Sequence, residues 1–237
     1  MENVLGFISP GILSQILVGL SRTVILFIVS AGLSLILGVL RIRNVAHGSL
    51  YMIGAFMAYT VSHLFGGGTT GFWVALILAP LGVAALSFVA ERSLFQFLYE
   101  REHLMLLLLT FALSLVFGDL VKLIWGAEYR SVPVPSMFQG YINLFGGLPF
   151  PIYSFFLLVM GPVIAILLWL LTNKTKIGKI SRAAAVDREM VGAVGINVNW
   201  VFAIVFVIGC LLAGLGGVLV APTVSVTLGM DHTLIME

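Results

Sequence analysis

The residues of this chain that could do chemistry are few, and they cluster. Between positions 175 and 201, "TKIGKISRAAAVDREMVGAVGINVNWV" carries Lys176, Lys179 and Arg182, then the triplet Asp187-Arg188-Glu189, between two long apolar runs. Charges on so short a segment can dock a partner or pair internally, but they make no nucleophile–base set. A second group, Asn44, His47 and Tyr51, follows the spacing i, i+3, i+7 and falls on roughly one helical face. Such a face can line or gate a pathway, or it can be a polar turn that caps and anchors the helix it begins. Asp119 and Lys122 stand one helical turn apart and could pair with each other. No G-x-x-x-x-G-K-[ST], H-E-x-x-H or G-x-S-x-G occurs. The four histidines and the lone Cys210 show no metal-ligand spacing, and Cys210 reads as a buried thiol inside an apolar run. The chain reads as non-enzymatic, with no cofactor or metal of its own.

The elements that must position these residues are apolar. Of 237 residues 60% are hydrophobic and 9% charged, with a mean hydropathy of +1.15. A soluble domain carries about 25% charged residues, so a single membrane-embedded unit over 1–237 is expected. The net charge of +2 is scattered between apolar runs, which argues against a nucleic-acid partner. "MENVLGF" lacks the basic region of a cleaved signal peptide. A helix needs about 20 apolar residues to cross the hydrocarbon. Six candidates follow, near 13–40, 48–65, 72–90, 103–125, 151–171 and 199–221, with Pro80 and Pro162 inside two of them. The fold class is therefore an all-α integral membrane protein. Residues 126–150 form the longest connection, rich in turn residues.

Charge orients the spans. Segments 41–47, 91–102 and 172–198 hold Arg41, Arg43, Arg92, Arg101, Lys174, Lys176, Lys179, Arg182 and Arg188, nine of the twelve bases. Arg22, Lys122 and Arg130 fall on or near the other side. The positive-inside rule then gives N-out and C-out, with the 175–201 segment cytoplasmic. Small residues at four-residue spacing, Gly209-Ala213-Gly217 and Ser30-Ser34-Gly38, read as close helix packing within the subunit. Gly48 and Gly54 read as positions where a side chain would hold the first two spans apart.

Read as one helix, residues 180–194 gather Ile180, Ala183, Ala184, Met190, Val191 and Val194 on one arc, with Arg182 and Glu189 opposite and Arg188 at the flank. Gly195 is placed to end it. Asp187 alone falls within the apolar arc and calls for a basic partner. The segment either rests on its own membrane domain or presents a mixed surface to a cytoplasmic partner.

"GLSLILGVLRIRNVAHGSLYMIGAFMAY", residues 32–59, resembles the first- and second-span signature of branched-chain amino acid ABC transporter permeases. Arg182, Ala183, Asp187, Met190, Gly195, Ile196 and Asn197 resemble that family's cytoplasmic coupling loop, and "LSLVFGDLVKLIWG" its fourth span. The resemblance covers essentially the whole chain. It implies a permease subunit in a bacterial inner membrane, translocating branched-chain or similar amino acids inward. ATP and Mg would be bound by two partner ABC ATPases, and a periplasmic amino-acid-binding protein would deliver substrate. A second homologous permease, or a second copy, would complete the pathway. Arg182, Asp187, Arg188, Glu189, Gly195 and Ile196 would form the ATPase-coupling helix. Arg182 stands where the older importer signature has Glu, and the family's pattern continues past Glu237 with about two further spans, so the domain is expected to be incomplete at its C-terminus. Competing readings are an ion-coupled secondary carrier and a non-transporting truncated membrane scaffold; urea or short-chain amides are the alternative substrates.

Overall fold

The computed structural model describes residues 10–99, 101, 103–144 and 148–231. With no water in the hydrocarbon, backbone groups must bond within their own segment, and the apolar runs accordingly become helices. In chain order they are α1 (Pro10–Leu40), α2 (His47–Leu64), α3 (Gly68–Ser93), α4 (His103–Trp125) and α5 (Ile152–Lys174). Two short helices follow, α6 (Lys176–Val186) and α7 (Arg188–Ala193), then α8 (Val198–Val220). Five are long and apolar enough to cross a membrane: α1, α3, α4, α5 and α8. The expected second span is a helix in its place, but at eighteen residues with His47, Ser49, Tyr51, Tyr59, Thr60, Ser62 and His63 it lacks a spanning segment's apolarity.

The core lies around α8. Its most apolar stretch is 78% buried, against 17–39% in the other four long helices, and α1, α2 and α3 pack on it. Glycines allow the approach. Gly209 and Gly32 face each other between α8 and α1, where a Cβ on Gly32 would lie 2.5 Å from the Gly209 carbonyl oxygen. Gly217 abuts the α2 backbone at Tyr51 and Ala55, and Ala213 is fully buried. The Gly209-Ala213-Gly217 stripe is thus internal packing. Ser30 and Ser34, by contrast, are exposed, and Gly38 has no neighbour within 4 Å of a built Cβ. Gly54 meets Gly214 of α8 and Gly48 meets Asp231, so neither spaces α2 from α1 as expected. The outer helices turn Leu, Ile, Val and Phe outward, for instance Leu108, Phe111, Leu115 and Leu123 of α4. Helices apolar on every side suit a lipid surround.

Two connections depart from the sequence reading. Residues 126–150 hold more than turns: β1 (Tyr141–Leu144) and β2 (Leu148–Pro151) pair antiparallel, Ile142 opposite Phe150. Pro149 and Pro151 are tolerated because a two-stranded ribbon has an open edge that asks for no N–H. Residues 41–46, part of the expected cytoplasmic segment 41–47, run back into the bundle. His47 Nε2–H donates to the Val29 carbonyl at 3.0 Å. Val29 stands eleven residues before Leu40, about 16 Å back along α1. The link alternates: Arg41 and Arg43 exposed, Ile42 and Asn44 buried.

Most of the bases collect at one end. Arg41 donates to the Ala185 carbonyl of α6 at 3.0 Å, Arg92 stacks on Trp200 at 4.0 Å, and Arg188 lies over Tyr99. At the opposite end Arg130 donates to the Trp125 carbonyl and exchanges backbone hydrogen bonds with Val226, and Tyr153 donates to the Leu219 carbonyl. Asp119 and Lys122 are both exposed and are not among the ion pairs of the described residues. A lysine at i+3 can extend its stem away from the carboxylate toward the polar interface.

Candidate functional site

At the basic end, the single helix expected over 180–194 is two. Thr175 caps α6, its hydroxyl accepting from the Gly178 N–H at 3.1 Å. Gly178 is buried against the Leu171 and Thr172 carbonyls, so α6 doubles back tightly on the end of α5. The break falls at Asp187, whose backbone is extended (φ −143°, ψ 100°) and whose carboxylate caps α7 by accepting from the Met190 N–H at 2.9 Å. A carboxylate at a helix N-terminus satisfies an orphan donor and meets the positive end of the helix dipole. Asp187 therefore needs no basic partner. At the far end Gly195, with φ +86°, follows α7. Its N–H donates to Gly192, and the Ile196 N–H to Val191, the two bonds of a glycine-terminated helix.

Splitting the helix also splits its apolar arc. Ala184 and Val191 are buried, whereas Val186, Met190 and Val194 are exposed at 86%, 62% and 73% beside the exposed Glu189. Arg182 turns back to Asn173 (2.8 Å). Arg188 donates to Asn199 of α8 at 2.9 Å and lies over the rings of Phe202 and Tyr99, at 5.4 and 6.0 Å.

Tyr99 carries the contact onward. Its hydroxyl donates to the Glu91 carboxylate at 2.9 Å, and burial, reinforced by that carboxylate, raises the phenol above its ordinary range and keeps it a donor. Glu91 is fully buried and is flanked by Arg92 at 3.6 Å, which stacks on Trp200. A closed ring thus joins α3, the α3–α4 link, α7 and α8. Sequence reasoning passed over Glu91 and Tyr99. A lone carboxylate closing the apolar run "SFVAERS" was the available signal, since an ionisable group buried in a membrane bundle is functional by default.

The Asn44, His47 and Tyr51 group lies deeper, on α2 and the link before it. Asn44 and His47 line a cavity of about 500 Å³ whose walls include Leu26, Val29, Ser30 and Leu33. Tyr51 lines a second one, about 340 Å³, with Arg22, Leu26, Val220 and Thr223. Leu26 borders both. The structure thus spreads the three residues along two adjoining cavities. Asn44 gives the turn only its backbone carbonyl, which accepts from the His47 N–H at 3.2 Å, and no side chain caps α2. Neither Asn44 amide atom, nor His47 Nδ1, has a hydrogen-bond partner among the described residues. The capping role weighed for Asn44 is therefore not the one it plays.

Apolar helices around a buried central one, with polar groups lining cavities between them, define a multi-pass membrane protein. The chain belongs to the family of branched-chain amino acid transport system permease components, which it matches over residues 15–237. It is similar to the high-affinity branched-chain amino acid transport system permease protein BraD of Pseudomonas aeruginosa, 26% identical over 230 residues, or 94% of this chain and 72% of that protein. The LivH proteins of the same description from Salmonella typhimurium and Escherichia coli K12 are each 27% identical, over 81% of this chain and 65% of their own length. The chain thus spans about two thirds of the length of these relatives. No solved structure matches it.

Proposed function

We propose that this chain is the membrane-spanning permease subunit of an ATP-driven importer that moves branched-chain amino acids into the cytoplasm. With the 41–46 link and α2 together making a sixth crossing, the basic end faces inward, both termini of the bundle face outward, and the membrane is the bacterial inner membrane. Two cytoplasmic ABC ATPases supply ATP and Mg. A periplasmic amino-acid-binding protein delivers substrate, and a second permease, homologous or identical, completes the pathway. Asn44, His47 and Tyr51 line that pathway.

The observation that carries this reading is the α6–α7 elbow. Val186, Met190 and Val194 are exposed around Glu189 on a segment whose other side is bound to the bundle through Ala184, Val191 and Arg188. A segment so built can receive motion on its exposed side and pass it to α8 directly and to α3 through Tyr99. Asp187 and Arg188 hold the elbow's shape, so exchanging their charges would unfold it. The decisive substitution lies on the surface. Val186→Asp with Met190→Asp is expected to release the co-purifying ATPase while the variant reaches the membrane at wild-type levels. Retention of the ATPase by this variant refutes the docking role. A wild-type chain that holds no ATPase refutes the importer reading itself.

A further inference from the structure

The link at residues 41–46 has a second face. Ile42 and Asn44 are buried, whereas Arg41 and Arg43, two positions apart, are both exposed. Arg41 is the one described non-glycine residue at positive φ, 58°, where the chain turns back from α1. Beside the two arginines opens a cavity of about 560 Å³ between α1 and the first turns of α4. Ile42 and Leu106, both buried, border it, and the partly or largely exposed Leu37, Leu104 and Leu107 form its outer wall. Every lining residue other than the arginines is aliphatic. One Arg41 nitrogen donates to the Ala185 carbonyl, and among the described residues neither arginine is in an ion pair.

The geometry points to a binding site for an anionic phospholipid, its phosphate between Arg41 and Arg43 and an acyl chain along Leu37, Leu104 and Leu107. Guanidinium groups bind phosphate oxygens through paired donors. Basic pockets between membrane helices at the inner surface are where anionic headgroups are held. The apolar wall selects a lipid over a free anion, because a soluble phosphate would leave it without a partner. The site also touches the elbow: Arg41 reaches α6, so a bound headgroup would brace the end of α1 against the α6 C-terminus.

The test uses the full chain purified in detergent, incubated with phosphatidylglycerol or phosphatidylcholine and read by native mass spectrometry. The wild type is expected to retain phosphatidylglycerol preferentially. Arg41→Gln with Arg43→Gln should reduce retention roughly twenty-five-fold, at about fivefold per arginine, while Lys122→Gln at the other end leaves it unchanged. Leu107→Trp, which fills the cavity with both arginines in place, should also reduce it. Equal retention of the two lipids, or retention indifferent to both the Arg and the Trp variants, overturns the proposal. So does displacement by millimolar inorganic phosphate as effective as that by phosphatidylglycerol, which would make the site one for simple anions.

Discussion

The crossing of α2 on α8 gives the sharpest stability prediction. Gly54 and Gly214 meet backbone to backbone: a Cβ on Gly54 would stand 2.5 Å from the Gly214 carbonyl oxygen and 2.7 Å from its Cα. An ordinary contact begins near 3.4 Å, so Gly54→Ala requires about 0.9 Å of separation (3.4 minus 2.5) between two backbones with no side chain to rotate away. A radial gap of about that size forfeits a quarter to a half of each dispersion contact it opens, and overpacking of this kind costs about 1–3 kcal/mol. Helix propensity works the other way, returning up to about 1 kcal/mol when Ala replaces Gly in a helix. Gly118 of α4, where a Cβ meets nothing within 4 Å, isolates that gain. Thermal unfolding in detergent should therefore separate the two. Gly118→Ala holds or raises the midpoint, whereas Gly54→Ala lowers it by several degrees, at about 2–4 °C per kcal/mol for a chain of this size. Equal midpoints for the two variants would refute glycine-mediated contact at this crossing.

Two further outcomes follow from the site. Tyr99→Phe removes the hydrogen bond to a fully buried carboxylate; stability should fall by about 1–3 kcal/mol, and amino acid uptake per ATP hydrolysed in proteoliposomes should drop while the ATPase remains bound. Unchanged transport stoichiometry would remove Tyr99 from the coupling route. Asn44→Leu replaces an amide with no hydrogen-bond partner by an apolar side chain of similar size, so the melting temperature should hold or rise as uptake falls; a destabilised variant would make Asn44 a structural residue after all.

How much of this was legible in the sequence depends on which property each feature rests on. Span positions were: the long helices begin and end within a few residues of the runs near 13–40, 72–90, 103–125, 151–171 and 199–221, because hydrophobic length is a one-dimensional property. The return of residues 41–46 was not. "RIRNVAH" reads equally as an exposed basic turn, and only the structure shows Ile42 and Asn44 buried and His47 bonded back to Val29. Asp187 shows the same limit. Helical periodicity placed it on an apolar arc and asked for a cation, but periodicity presumes a continuous helix. An aspartate can end that continuity by offering its own carboxylate to the next helix's N–H, here that of Met190.

The elbow's ring was hidden for a further reason. Glu91, Tyr99, Arg188 and Trp200 are spread over more than a hundred positions, and no spacing rule joins them. What joins them is a demand for compensation. A fully buried carboxylate requires a donor and a cation, and Tyr99 and Arg92 are those. A guanidinium at a bundle's edge gains from aromatic faces, and Arg188 and Arg92 both find them. Tyr99 reaches Glu91 from the α3–α4 link, and Arg92 and Arg188 each reach a ring on another element, so the elbow cannot shift without breaking one of those contacts. In Asn44 and His47 Nδ1 the requirement is not met within the described chain, and both line a cavity. The Glu91 carboxylate accepts from Tyr99 through one oxygen, and its other oxygen, with no hydrogen-bond partner, lies 3.6 Å from Arg92. Asn44 and His47 Nδ1 differ in having neither a hydrogen-bond partner nor an ion pair among the described residues and in lining a cavity, which is why we propose the pathway there and the transmission through Tyr99.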